Sequence, residues 1–259
     1  MGVKGFKVDF LDRNDQKTVA SCYEIAAIAA KHQLFLDFHG MFAPQGLQRT
    51  WPNVVNFEGV RGMEYMKWHP DDRVTTHAVQ LPFIRMMAGP MDYTPGAFRN
   101  RIRKAAVASN SMPQGLGTRC NQLAMYILYE APLQMLADNP TTYKKEQECT
   151  DFIAAVPTTF NETKALDAKF GEYLLMARRK GNDWFIGAMT NWTERDILVD
   201  LSFLTVGTYK ATVFRDGINA DRDATDYVKE TQTINKDSKL TVHLAPGGGL
   251  AIRLQQIVQ

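Results

Sequence analysis

The first stretch of the chain alternates apolar and charged residues. Phe6, Val8 and Phe10 are separated by Lys7 and Asp9, the period-two signature of a strand, read here as buried. A polar stretch covers 12–17. Val19, Cys22, Tyr23, Ala26 and Ala30 then recur at helical spacing and predict an amphipathic helix over about 18–32. Leu34 to His39 is a second apolar run, closed by Gly40. Strand, helix and strand with short connections make the βαβ unit of a parallel sheet.

Residues 41–76 keep no sustained period, and a connection of that length is functional or holds short elements of its own. The apolar stretch 77–87 reads as strand-like and stops at Gly89-Pro90. Residues 119–137 predict a buried helix kinked at Pro132. Phe152–Thr159 predicts the last strand of this half. From Gly171 the texture changes. Glu172–Arg179, Asp183–Asn191, Asp196–Leu201, Gly207–Arg215, Tyr227–Ile234 and Leu240–Leu244 are short alternating runs, with turn residues at Gly181-Asn182, Asp216-Gly217 and Gly247–Gly249. That spacing predicts an antiparallel sandwich or barrel. The expected fold class is α/β followed by all-β, with the boundary near 165–172, dividing 1–168 from 169–259.

Composition narrows the function. The 259 residues carry 30 Lys+Arg against 28 Asp+Glu, a net charge of +2, and 45% are hydrophobic. A balanced charge without a basic block argues against a nucleic-acid partner. No apolar run approaches the roughly 18–20 residues needed to span a bilayer, so no membrane partner is expected. Cys22, Cys120 and Cys149 form no metal-ligand spacing.

Working residues in parallel α/β proteins sit at the carboxyl ends of strands and in the loops that follow. That rule singles out Asp9, Asp37, His39 and the 41–76 connection. Lys7 and Asp9 project from one strand face, and the lysine is expected to favour the ionised carboxylate; a structural ion pair is the alternative. Glu58 and Glu64 lie six residues apart among glycines. Paired carboxylates equip both glycosidases and calcium sites. Arg61 and Asp92 are candidate substrate contacts, or else loop packing and a helix cap. Glu162 is a weaker candidate for which capping is the default.

Phe38–Trp68 (FHGMFAPQGLQRTWPNVVNFEGVRGMEYMKW) resembles the signature region of glycoside hydrolase family 97. The likeness continues in Leu81–Phe98, Gln122–Asp138, Val156–Thr163 and Gly171–Asn191. It implies the C-terminal portion of a (β/α)8 barrel followed by a C-terminal β-sandwich. A whole barrel takes about 250 residues, so the first strands and an N-terminal domain of the same polypeptide would lie upstream, with Met1 an interior methionine or an artefact of truncation. Members that invert configuration place a glutamate base directly after the strand-end histidine; here that position is Gly40. Retaining members carry an aspartate nucleophile on the preceding strand, which Asp9 matches. By the same likeness Glu64 matches the acid/base, Glu58 a calcium ligand, and Glu64 is assigned to the metal as well.

The resemblance thus implies a retaining α-glycoside hydrolase, with an α-galactoside or oligosaccharide substrate, Ca²⁺, and Lys7, His39, Arg61 and Asp92 as substrate contacts. The two catalytic carboxyls should stand about 5–5.5 Å apart, with Glu64 protonated and Asp9 ionised. The alternatives are an inverting α-glucosidase and a non-catalytic carbohydrate-binding fragment. The stretch alone is expected to be inactive or poorly active, and the whole protein to be periplasmic or secreted.

Overall fold

The computed structural model describes residues 2–71, 73–112 and 114–257. Met1, taken above as interior or as an artefact of truncation, lies outside them. Strands β1 (Gly5–Val8), β2 (Phe35–Phe38) and β3 (Val54–Phe57) form a parallel sheet in the order β1-β2-β3. Helix α1 (Gln16–Lys31) makes the crossover from β1 to β2, so the βαβ unit stands as expected. Its N-cap is Asp15, which accepts the Thr18 N–H at 2.9 Å. Cys22, Ala26 and Ala29 pack one face of α1 against Leu36, Phe38, Val54 and Phe57.

Strand β1 is less buried than its alternation suggests. Phe6 is 55% and Phe10 86% exposed, because β1 ends the sheet and nothing covers that side among the described residues. The connection 41–76 holds helix α2 (Leu47–Thr50), strand β3 and a 3-10 turn over Met63–Lys67. The stretch expected as a strand over 77–87 is instead helix α3 (Val74–Gln80) followed by two 3-10 turns, Leu81–Phe83 and Arg85–Ala88. Strands β4 (Asn100–Arg101) and β5 (Gly115–Leu116) make a small parallel pair.

Helix α4 (Arg119–Leu128) is buried at every position but ends well before Pro132. After α5 (Pro140–Lys145), helix α6 (Gln147–Ala155) occupies part of the segment expected as a strand at 152–159. The ambiguity is physical: short apolar runs fit a buried helix and a buried strand equally well.

The second half matches its pattern closely. Strands β6 (Glu162–Lys169), β7 (Tyr173–Lys180), β8 (Asp183–Thr190), β9 (Arg195–Asp200), β10 (Thr208–Asp216), β11 (Tyr227–Ile234), β12 (Lys239–Leu244) and β13 (Gly249–Ile257) form two sheets. Six strands run in the order β11-β10-β13-β8-β7-β6, and β12 pairs β9. Ile197, Val199, Val242 and Leu244 of the small sheet pack on Leu175, Ile186, Val213 and Ile252 of the large one, which makes a sandwich core. The other face of the large sheet receives α4 through Leu123, Ile127, Phe185 and Ala251. Two strands escape the sequence pattern. β6 carries few apolar residues, and β13 begins inside the glycine run.

That glycine run is the joint between α4 and the sandwich. A Cβ on Gly249 would stand 2.4 Å from the Asn121 nitrogen, and one on Gly247 2.5 Å from the Trp192 ring. Asp216, at the end of β10, fastens the run by accepting the Ala245 and Gly249 N–H groups at 2.9 and 3.1 Å. Burial pushes its carboxyl up to about 7, although the bonds from Thr118, Ala245 and Gly249 oppose the shift. A carboxyl raised in the folded state stabilises below its unfolded value of 3.8 and loses that contribution as pH rises to about 7. The change amounts to at most about 4 kcal/mol. Denaturant melts of wild type and Asp216→Asn at pH 5 and pH 8 should therefore differ by an amount that shifts in favour of the variant with pH. An unchanging difference would rule out ionisation at this site.

Candidate active site

Register puts three side chains in one row across the parallel sheet. Lys7 stands opposite Asp37, and Asp37 opposite Asn56. Alternation along the strands sends Leu36 and Phe38 toward α1, so this polar row takes the other face. There Asp37, fully buried, meets Asp92. Lys7 Nζ donates to Asp92 Oδ2 at 2.7 Å, and the Thr94 hydroxyl donates to Oδ1 at 2.7 Å. Burial, then the Asp92 charge, push the Asp37 carboxyl up to about 8. Burial also acts to raise Asp92, but Asp37, Lys7 and Thr94 together hold it below the usual carboxylate value. No hydrogen bond of ordinary geometry reaches either buried Asp37 oxygen among the described residues.

The ammonium of Lys7 therefore sits on Asp92 rather than on Asp9, correcting the expected pairing. Asp9 lies just past the end of β1, where the chain swings away. Phe10 and Asp12 adopt φ of 61° and 42°, a strained left-handed region for non-glycine residues. The Asp12 N–H donates to the Gly40 carbonyl at 2.5 Å, and the Phe10 N–H to Asp9 Oδ1 at 2.6 Å. This turn fixes the Asp9 carboxylate at the carboxyl ends of the strands, with its side chain 39% exposed.

His39 connects the carboxylates. Its Nδ1 lies 3.4 Å from Asp9 Oδ1, and its Nε2 lies 3.3 Å from Glu58 Oε1 and 3.8 Å from Asp92 Oδ2. Glu58 follows β3; its N–H donates to Phe38 O at 2.7 Å and its Oε2 accepts the Gly40 N–H at 2.7 Å. Burial raises the Glu58 carboxyl, opposed by Gly40 and His39. Glu64 rides the 3-10 turn Met63–Lys67 and lies 3.0 Å from Lys67 Nζ.

One ligating atom each from His39, Glu58 and Glu64 falls within 4.8 Å of the others. A hard dication such as Ca²⁺ takes six to eight oxygens. The two glutamates fit that requirement, the imidazole does not, and the remaining oxygens would come from elsewhere.

Glu58, Arg61, Tyr65 and Gly40 line a cleft of about 550 Å³. Lys7, His39 and Glu64 line a cavity of about 180 Å³. Arg61 is also engaged by its own loop, donating to Asp71 Oδ2 at 3.1 Å and to the His69 carbonyl at 3.0 Å. The Asp92 side chain is fully buried, its oxygens held by Lys7 and Thr94. Glu162 lies away from this group, paired with Lys164 and Arg179. Sequence reasoning passed over Thr94 and Arg85. The Asp92-x-Thr94 spacing is a recognisable local turn signal, whereas nothing local marks Arg85.

Fold and site together define an α/β protein with a carboxylate-lined cleft at the carboxyl ends of its parallel strands. The family model described as glycoside hydrolase 97 matches residues 1–60, and the one described as glycosyl-hydrolase 97 C-terminal, oligomerisation, matches 159–255. A Bacteroides thetaiotaomicron protein named retaining alpha-galactosidase is 52% identical over 98% of this chain. The chain spans 39% of that relative's length. A family 97 enzyme from Pseudoalteromonas sp. strain K8, solved with acarbose, superposes with a TM-score of 0.84 at 33% identity, over 94% of this chain and 38% of that one. A beta-arabinopyranosidase structure superposes with a TM-score of 0.82 at 28% identity, over 97% of this chain and 39% of that one. The chain belongs to glycoside hydrolase family 97.

Proposed function

We propose that this chain supplies the catalytic carboxylates of a retaining α-galactosidase. Asp9 attacks the anomeric carbon while Glu64 protonates the leaving oxygen; Glu64 then takes a proton from the incoming water, which releases the sugar with its configuration kept. His39 orients Asp9 and Glu58. Lys7 and Asp92, beside the buried Asp37, form the floor of the site, and Arg61 lines the substrate cleft.

The observation that carries the reading is the space at position 40. Gly40 has φ +56°, and a Cβ there would stand 2.8 Å from Asp9 Oδ1 and 3.0 Å from the Phe10 nitrogen. Asp9 fills the volume that a glutamate base at position 40 would need, which favours double displacement over inversion.

The rest of the reading leans on the family likeness. The parallel strands serve as the second part of a (β/α)8 barrel, closed along β1 by upstream strands of a longer polypeptide. The C-terminal sandwich takes in β6 and so begins at Glu162, ahead of the expected division between 168 and 169. Exposed Phe6 and Phe10 suit that closure. Calcium, held by Glu58 and Glu64, would supply a fixed positive charge beside the sugar. Glu58 is the principal ligand, since a dication bound tightly to Glu64 would strip the proton its acid role requires. Export to the periplasm or beyond belongs to the same reading.

The test is the first-formed product. Proton NMR of an aryl α-galactoside turned over by the complete polypeptide should show the α-anomer of galactose before mutarotation. Release of the β-anomer would sink the nucleophile role of Asp9.

A further inference from the structure

Arg85 is the unusual cation of this site. It lies in the 3-10 turn Arg85–Ala88 and is 8% exposed. Among the described residues all five of its hydrogen bonds go to main-chain carbonyls. Nε donates to Gly59 O at 3.0 Å and Nη1 to Gly89 O at 3.2 Å. Nη2 shares its two N–H groups among Phe57 O at 3.2 Å, Glu58 O at 2.7 Å and Pro90 O at 3.0 Å. It joins no ion pair among the described residues, and burial alone pushes its pKa down to about 10. A buried charge without a counter-ion is costly, and here only carbonyl dipoles offset that cost.

The acceptors belong to two segments. Residues 57–59 carry Glu58, and 89–90 lead directly to Asp92. The Asp92 N–H closes the gap by donating to Phe57 O at 2.7 Å. One planar group thus ties together the two loops whose carboxylates meet at His39. A lysine has three donors on a point charge and cannot span the same fork of carbonyls.

We propose that Arg85 is a positioning residue for Glu58, clamping the backbone on both sides of it so that its carboxylate is held ready beside His39 and Gly40. The proposal rests on the reading of Glu58 as part of the cation- and sugar-handling site. It makes Arg85 a support for the site that never touches substrate.

The test compares wild type, R85K, E58Q and the double variant in the complete polypeptide. Three quantities are measured: Tb³⁺ affinity by sensitised luminescence, kcat and KM on an aryl α-galactoside, and the melting temperature. R85K should lose about 10–100-fold in Tb³⁺ affinity, as removal of outer supports of metal ligands does, with a loss in kcat larger than any change in KM. Once Glu58 is already Gln, adding R85K should cost no further affinity, since the two act through one group. R85K that melts earlier yet keeps affinity and kcat within twofold of wild type overturns the proposal, as does an additive double variant. If R85K does not fold, R85Q takes its place; failure of both to fold assigns Arg85 to the scaffold and overturns the positioning role. Wild type that binds Tb³⁺ but turns over no α-galactoside defeats the functional reading, while the affinity arm still decides on Arg85. Wild type that does neither defeats both.

Discussion

Replacing Asp9 by glycine should lower kcat on an aryl α-galactoside by roughly 10⁴-fold or more, the scale seen when a nucleophile is removed from a working constellation. The substitution leaves a small gap on the face opposite the leaving group. Azide is small and anionic and needs no general base, so added azide should restore turnover and yield the β-galactosyl azide. The local structure supports a confined change. Asp9 is anchored through its own loop, by the Phe10 N–H at 2.6 Å, and by His39 at 3.4 Å. Neither contact holds the sheet together. Chromatography of the azide reaction gives a clear answer. A variant that keeps a few per cent of wild-type activity without azide, or gives no glycosyl azide, would place the nucleophile elsewhere.

Gly249→Ala should destabilise the protein by about 3 kcal/mol or more, the upper part of the overpacking range. The added methyl would meet the Asn121 nitrogen at 2.4 Å, the Asn121 Cα at 2.5 Å and the Cys120 carbonyl carbon at 2.6 Å. All three are backbone atoms of α4. They cannot swing aside as the tip of a side chain can, so the helix itself must move, and every residue of that helix is buried. Gly181 provides the contrast. It has φ +58° with nothing within 4 Å, so Gly181→Ala should cost only about 1 kcal/mol of backbone strain. Urea titrations of the two variants decide the matter. Equal losses would show that α4 is not locked onto the glycine run.

The sandwich was largely legible because many of its strands, β9, β11 and β12 among them, have one wetter and one drier face, which writes alternation into the chain; β8, covered by α4 on its far side, is buried at seven of its eight positions. β10, for example, alternates buried Tyr209, Ala211 and Val213 with less buried neighbours. The first half was harder for the same reason. Strand β3 is four residues long and buried at Val54, Asn56 and Phe57, and α3 is nearly as short, so neither develops a period. At the site, Asp9, Glu58 and Glu64 stood out by strand-end position and spacing, but their roles came only from family likeness, since carboxylates among glycines carry little information alone. What joins them was not legible at all. Lys7 meets Asp92 across 85 residues, and Arg85 reaches Glu58 across 27. Such partnerships are set by strand register and by where loops return, and no local window holds both ends.

The crowding between Asp9 and position 40 also bears on how a lineage could move from one stereochemical course to the other. With Asp9 as the proposed nucleophile, adding a base at 40 while Asp9 remains would force two like charges into the space of one, and removing Asp9 first would leave none. On that reading each single step should pass through a crippled protein, and the two courses should be separated by a valley rather than a slope. Descendants of either type should keep residues 9 and 40 as a linked pair, exchanged together or not at all.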